Sequence, residues 1–218
     1  MLAPMAMMFY MTPGSCSTGI HILLETLELP FQATVLNLPA GDHRRPEYLA
    51  VNPKGTLPAL RLDGGEVLTE FPAIAFWLAR RHPRAGLLPE DPLLAAQALA
   101  RVEYAVNTIH GQGWTRIFTS EAYWLDGVGA DREASIAALA ARGREIVNQG
   151  YALIETQLDE EGRFPGQPEF GIADAALFYT AFWADKTGLP LPPRCTAHYR
   201  RIKARPVVQQ VLREEGYR

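Results

Sequence analysis

The stretch Phe9-Tyr10-Met11-Thr12-Pro13-Gly14-Ser15-Cys16-Ser17 sets an apolar run, a Pro-Gly turn and a single thiol in series, and a helical pattern begins at the thiol. A cysteine at a helix start lies against backbone N–H groups that lack an intrahelical partner. It also lies at the positive end of the helix dipole, and both effects favour thiolate over thiol. The spacing therefore predicts a reactive Cys16 with a pKa below the free value of about 8.5. The competing reading is the ordinary fate of cysteine, a small buried hydrophobe. The other cysteine, Cys195, lies far along the chain in Pro192-Pro193-Arg194-Cys195, so there is no Cys-x-x-Cys pair and no metal-ligand spacing. The chemistry reads as that of one thiol, with no metal.

Outward from this stretch, the 218 residues carry a net charge of −3 and 48% hydrophobic residues, which suits a globular chain and gives no basic field for nucleic acid. The cluster Arg200-Arg201-Ile202-Lys203-Ala204-Arg205 reads as the solvated face of a late helix. The opening Met1-Leu2-Ala3-Pro4-Met5-Ala6-Met7-Met8 lacks a basic leader region and reads as a short extension, not a signal peptide. No apolar run is long enough to span a bilayer, and two unpaired cysteines suit a reducing compartment. The expected location is the cytoplasm, with no membrane and no nucleic-acid partner.

Up to residue 82 the pattern alternates between two periods. Residues 7–11, 33–38, 57–62 and 66–69 read as strands, and 18–27 and 72–81 as helices. Ile74, Trp77 and Leu78 fall on one face of the second helix, as a helix packed on a sheet requires. Leu62-Asp63-Gly64-Gly65-Glu66 carries a hairpin signal. Residues 83–92 are dense in turn formers and read as a linker. Beyond them strand signals vanish, and 91–118, 131–158, 172–186 and 207–215 carry helical periodicity. The expectation is an α/β domain over 1–82, a linker over 83–92 and an all-α domain over 93–218.

Further motifs give this outline an identity. Asn52-Pro53-Lys54-Gly55-Thr56-Leu57-Pro58-Ala59-Leu60 places a proline just before a strand, where a cis peptide at Leu57-Pro58 would leave the Leu57 amide and carbonyl free. Leu68-Thr69-Glu70-Phe71-Pro72-Ala73-Ile74 puts a carboxylate at a helix start, and Phe170-Gly171-Ile172-Ala173-Asp174 reads as a helix cap with Asp174 as its structural carboxylate. Together with the Cys16 stretch, these motifs resemble the cytosolic glutathione transferases from about Met8 to Gly216. The Cys16 stretch itself is similar to the opening of the bacterial beta class.

The resemblance implies a thioredoxin-like N-terminal domain joined to an all-α C-terminal domain, with glutathione as co-substrate in the cleft between them. It implies that Cys16 contacts the glutathione sulfur, with Tyr10 and the Ser15 and Ser17 hydroxyls as reserve donors. It places His110 in a helix facing the thiol, where a protonated imidazole would favour thiolate. Leu57 and Pro58 would hold the cysteinyl backbone as an added strand. Glu70 and the Phe71 backbone would take the γ-glutamyl end, and Lys54 the glycyl carboxylate. Phe71 stands where many classes carry a serine that donates a hydroxyl, so weaker glutathione binding is expected. Trp114 and Phe118 would line the electrophile pocket.

Two activities remain open at this point: conjugation of small electrophiles, and glutathione-dependent thiol–disulfide exchange or peroxide reduction. A cysteine favours the second. Phe71 also leaves room for a non-catalytic binding or scaffold protein of the same fold. A homodimer is expected from the resemblance and from the apolar content of the helical half.

Overall fold

The computed structural model describes residues 7–124 and 131–217. Of the expected extension over Met1–Met8, residues 1–6 lie outside them, and Met7 and Met8 belong to the first strand. The first half is a sheet in the order β2-β1-β3-β4, built from β1 (Met7–Met11), β2 (Phe31–Val35), β3 (Ala59–Arg61) and β4 (Val67–Thr69). β1 and β2 are parallel, so the chain between them must cross over, and it does so through α1 (Ser17–Thr26). The other pairings are antiparallel. β3 and β4 meet through the Asp63-Gly64-Gly65 turn, closed by the Leu62 N–H donating to Glu66 O at 2.8 Å, with Gly65 at φ +97°.

Two strand boundaries differ from the sequence reading. β2 starts at Phe31 because the parallel register pairs Met7 with Phe31, and the Phe31 ring meets Phe9 edge-on at 5.9 Å. β3 starts only at Ala59, after the proline that has no N–H to give the ladder. A short α2 (Pro46–Leu49), with proline at its first position, escaped the pattern. α3 (Phe71–Arg81) buries Ile74 and Leu78 as expected.

The second half has helices and no strand among its described residues. α4 (Pro92–Glu103) is capped by the Asp91 carboxylate, which accepts from the N–H groups of Leu93 and Leu94 at 3.0 and 2.9 Å. The helix then widens into a π-helical stretch, Tyr104–Trp114, before α5 (Thr115–Phe118). α6 (Arg132–Glu155), α7 (Ile172–Thr187), α8 (Pro193–Lys203) and α9 (Pro206–Glu214) follow. No helix among the described residues is long and apolar enough to cross a membrane.

α7 is buried without a break from Ile172 to Ala184 and forms the axis around which the rest packs. Asp174 accepts the Gly171 N–H at 2.9 Å, as its capping role requires. Its other oxygen receives His198 Nε2 at 3.0 Å and an Arg201 guanidinium N–H at 3.1 Å. Arg201 is therefore not part of a solvated face, as its basic neighbours implied. The carboxylate draws it inward, because a buried charge needs a partner.

One apolar core crosses both halves, from Phe9, Ile20 and Phe71 to Ile109, Tyr151 and Phe178. Gly19 permits the closest approach: a Cβ there would stand 2.7 Å from Phe71 Cε2 and 2.8 Å from Ala175 O. Residues 83–92 do not swing free, since Leu87 is buried and its carbonyl accepts the Ile172 N–H at 3.0 Å.

Candidate active site

Cys16 stands at the N-cap of α1, and its side chain makes no capping bond. The thiol turns instead across to the strand before β3, where Sγ donates to Leu57 O at 3.5 Å. The Leu57-Pro58 peptide is cis. The Leu57 N–H has no hydrogen-bond partner among the described residues, so an amide donor and a carbonyl acceptor flank the thiol. An extended ligand can add there as a strand.

The electrostatics reverse one expectation. Cys16 is part-exposed, yet burial around it pushes the thiol up to about 12. Hydrogen bonds from the Cys16 and Ser17 N–H groups lower it, but desolvation wins, and the Glu70 carboxylate adds to the rise. Without a ligand Cys16 is a thiol at neutral pH, not the thiolate that helix-start chemistry predicts.

The turn that carries Cys16 is bound from inside and from the far end of the chain. Thr12 O accepts from Ser15 Oγ at 2.7 Å and Ser17 Oγ at 2.9 Å, while Ser17 Oγ accepts the Thr12 N–H at 3.0 Å. Ser17 is fully buried, so its expected glutathione contact is not available; its hydroxyl is consumed in closing the turn. Gly14, at φ +71°, gives its N–H to Glu215 Oε2 at 2.7 Å and receives Trp183 Nε1–H on its carbonyl at 2.6 Å. Only glycine fits, since a Cβ would sit 2.0 Å from the Tyr217 hydroxyl oxygen. Trp183, Glu215 and Tyr217 were not legible as site residues because nothing local links them to the turn.

Tyr10 alternates to the opposite face of β1 from the main core. There it is buried with its ring 5.6 Å from Tyr48, in a small cluster with Ala59, and it makes no hydrogen bond to Cys16. Its reserve role as donor does not fit this placement. Tyr48 is the more consequential tyrosine: its hydroxyl and Asn52 Nδ2 both donate to Thr56 O, fixing the backbone that enters Leu57.

Glu70 and Lys54 come together beside this edge. Glu70 precedes α3 at φ +70°, an uncommon conformation for a residue with a side chain and one that functional sites concentrate. Its Oε1 receives Lys54 Nζ at 2.7 Å, and Lys54 also donates to Thr69 Oγ1 at 3.0 Å. Both ends of this pair are solvent-exposed. The Phe71 side chain points the other way. It is 2% exposed, with its ring 5.3 Å from Tyr179, so only its N–H is left for a ligand.

His110 is held by Nδ1 against the Tyr179 hydroxyl at 3.2 Å, and its ring stands edge-on to Trp183 at 4.9 Å. Burial lowers it from 6.5 to about 4, so it is neutral at pH 7 and gives the thiol no positive charge. Tyr179 is raised well above its ordinary value by burial first and Cys16 second. The π-helical stretch carries His110, a distortion often found at functional positions. Trp114 is fully buried and stacks on Phe118 at 5.2 Å; it is core and does not line a pocket. Phe118 is half-exposed beside Trp183 and remains able to meet an apolar substrate.

A mixed four-stranded sheet, a thiol at its first helix and a facing cis-proline define a thioredoxin-like half, here fused to a helical half. Family comparison carries this further. The glutathione S-transferase N-terminal domain matches residues 14–81 and the C-terminal domain residues 137–201. Maleylacetoacetate isomerase of Pseudomonas aeruginosa is 32% identical over 82% of this chain and 81% of its own. Glutathione S-transferase GST-4.5 of Xanthomonas campestris is 31% identical over 96% and 99%. Among solved structures, a glutathione transferase homolog from Sulfitobacter with bound glutathione has a TM-score of 0.83 at 28% identity, covering 96% of this chain and 98% of its own. A beta-class enzyme of Sphingomonas chungbukensis has a TM-score of 0.78 at 30% identity, with the same two coverages. The chain belongs to the glutathione S-transferase family of enzymes.

Proposed function

We infer that this protein binds glutathione along the Leu57-Pro58 edge and conjugates it to small electrophiles, with Cys16 as a neutral hydrogen-bond donor to the glutathione sulfur. The observation that carries this reading is the Cys16 thiol, pushed up to about 12 and parked on Leu57 O at 3.5 Å. A protonated donor serves a thiolate ligand; it is a poor nucleophile of its own.

Leu57 N–H and O would hold the cysteinyl unit of glutathione. Glu70 would meet its ammonium group and the Phe71 N–H its γ-glutamyl carboxylate. Lys54 would leave Glu70 for the glycyl carboxylate. In the reaction the glutathione thiol loses its proton to water, and the Cys16 S–H swings from Leu57 O to the new thiolate. The thiolate then forms a carbon–sulfur bond. The electrophile's leaving group departs with its electron pair or, at an activated double bond, the carbanion takes a proton from water.

The isomerase among the relatives supports activated double bonds as one substrate class. Phe71 no longer argues for a scaffold protein, because its ring serves the core. The reading includes a homodimer, supported by apolar side chains left exposed on α3 and α4, Phe76 and Leu93. Calorimetry with glutathione, followed by turnover of a model aryl halide and a model mixed disulfide, tests it. Binding with aryl halide turnover supports the assignment; disulfide turnover alone contradicts it.

A further inference from the structure

Away from the thiol, α1 and α9 meet around a second polar cluster. His21 Nδ1 lies 2.9 Å from Oε1 of Glu215, a buried carboxylate whose other oxygen receives Thr18 Oγ1–H at 2.6 Å and the Gly14 N–H at 2.7 Å. A buried carboxylate that already accepts two hydrogen bonds takes the Nδ1 hydrogen of the imidazole as well. That leaves Nε2 to face α9.

The His21 side chain is 7% exposed, and its Nε2 makes no hydrogen bond among the described residues. It faces Glu214 Oε2 at 3.4 Å. That spacing suits a cation between the two, whether a proton or a metal ion. Glu25, one turn further along α1, completes the arrangement. One ligand atom each from His21, Glu25 and Glu214 lies within 4.8 Å of the others. Gln210 Nε2 donates to Glu214 Oε1 at 2.9 Å and Glu25 Oε2 at 3.3 Å, aligning both carboxylates. The cluster opens into a pocket of about 310 Å³ that reaches Met11 and Pro13.

We propose that His21, Glu25 and Glu214 form a binding site for a divalent first-row transition metal ion, zinc foremost, that ties α9 to the helix carrying Cys16. One imidazole nitrogen with two carboxylate oxygens suits such an ion, whereas magnesium and calcium take oxygen alone. Bonds of about 2.0–2.2 Å put the donors of a tetrahedral ion roughly 3.4 Å apart. Glu25 and Glu214 reach that spacing by rotating side chains that touch solvent. Two carboxylates offset the ion's charge, and the pocket leaves a fourth position for water. Glu215 holds the imidazole as an outer partner, the usual support for a metal-bound histidine. The same carboxylate grips Gly14, so an ion here stiffens the turn before Cys16 without touching the thiol.

Titration calorimetry with zinc chloride, in buffer free of glutathione, tests this on the wild-type chain, on Cys16→Ser and on the double variant Glu25→Gln/Glu214→Gln. The expected result is a single ion per chain in the first two and binding weakened ~10-fold or more in the third. Zinc should raise the melting temperature of the first two and not of the third, while circular dichroism confirms that all are folded. The cobalt(II)-loaded protein should lack a thiolate-to-metal charge-transfer band. Absence of saturable binding, binding lost in Cys16→Ser, or binding unchanged in the double variant overturns the proposal.

Discussion

The carboxylate of Glu215 accepts the Gly14 backbone N–H at 2.7 Å across 201 residues of sequence. The last turn of the chain thereby fixes the turn that presents Cys16, and it does so with a carboxylate shared by Thr18 and His21. Glu215→Ala strands a buried N–H, a hydroxyl and an imidazole. Loss of one partner of a buried network costs about 3–5 kcal/mol. Urea denaturation should show that loss, with Glu215→Gln in between because it keeps an acceptor. A change below about 1 kcal/mol for Glu215→Ala would mean that water replaces the carboxylate.

Phe71→Ser should destabilise the fold and leave glutathione affinity no tighter. The ring fills the space between Gly19 and Tyr179, and emptying such a site costs about 3–5 kcal/mol. Melting temperature and calorimetry on one preparation check both parts. Tighter glutathione binding by the serine variant would show that the ring leaves the core when ligand arrives.

How far the sequence carries is visible in these two residues. The four strands, the long helices and the Asp174 cap rest on short-range signals, period and spacing, and they stand in the structure apart from the bounds of β2 and β3 and the missed α2, while the cis-proline came with the resemblance. Cys16 and Leu57 could also be paired in advance, because their motifs carry the family resemblance. The direction of the Phe71 side chain could not, since a helix start does not say which face meets the second half. The Cys16 pKa failed for a related reason. The helix-start argument is local, while desolvation depends on packing contributed by distant segments. Glu215 and Trp183 lie on sequence-remote helices, so no pattern near Gly14 points to them. Trp114 shows the limit of aromatic spacing, which is the same for a pocket wall and a core.

His110 should impose a pH dependence on stability. Its native value of about 4 lies below 6.5, so the unfolded chain binds the extra proton first. Stability is unaffected by this group above 6.5, falls as pH drops from 6.5 toward 4, and levels below that. Urea midpoints for wild type and His110→Gln across this range should therefore converge or cross on the acid side. Parallel curves would show that the imidazole is not desolvated.

Phe76 is 40% exposed on α3 and Leu93 67% exposed on α4. Sedimentation at micromolar concentration should show a dimer for the wild-type chain and a monomer for Phe76→Glu/Leu93→Glu. A charge buried without a partner is too costly for a dimer interface to keep. A wild-type monomer, or a dimer indifferent to both charges, contradicts the homodimer.

The central claim is that Cys16 stays protonated and donates to the glutathione sulfur. The direct test is a pH titration of the thiolate absorbance of bound glutathione in wild type, Cys16→Ser and Cys16→Ala. A serine hydroxyl replaces the donor and an alanine methyl does not. The account predicts a bound-thiol pKa below the free value of about 8.5 in wild type and in the serine variant. In the alanine variant it should rise by about 1–2 units, the worth of one hydrogen bond to a charged group. Equal values in serine and alanine variants would contradict the account.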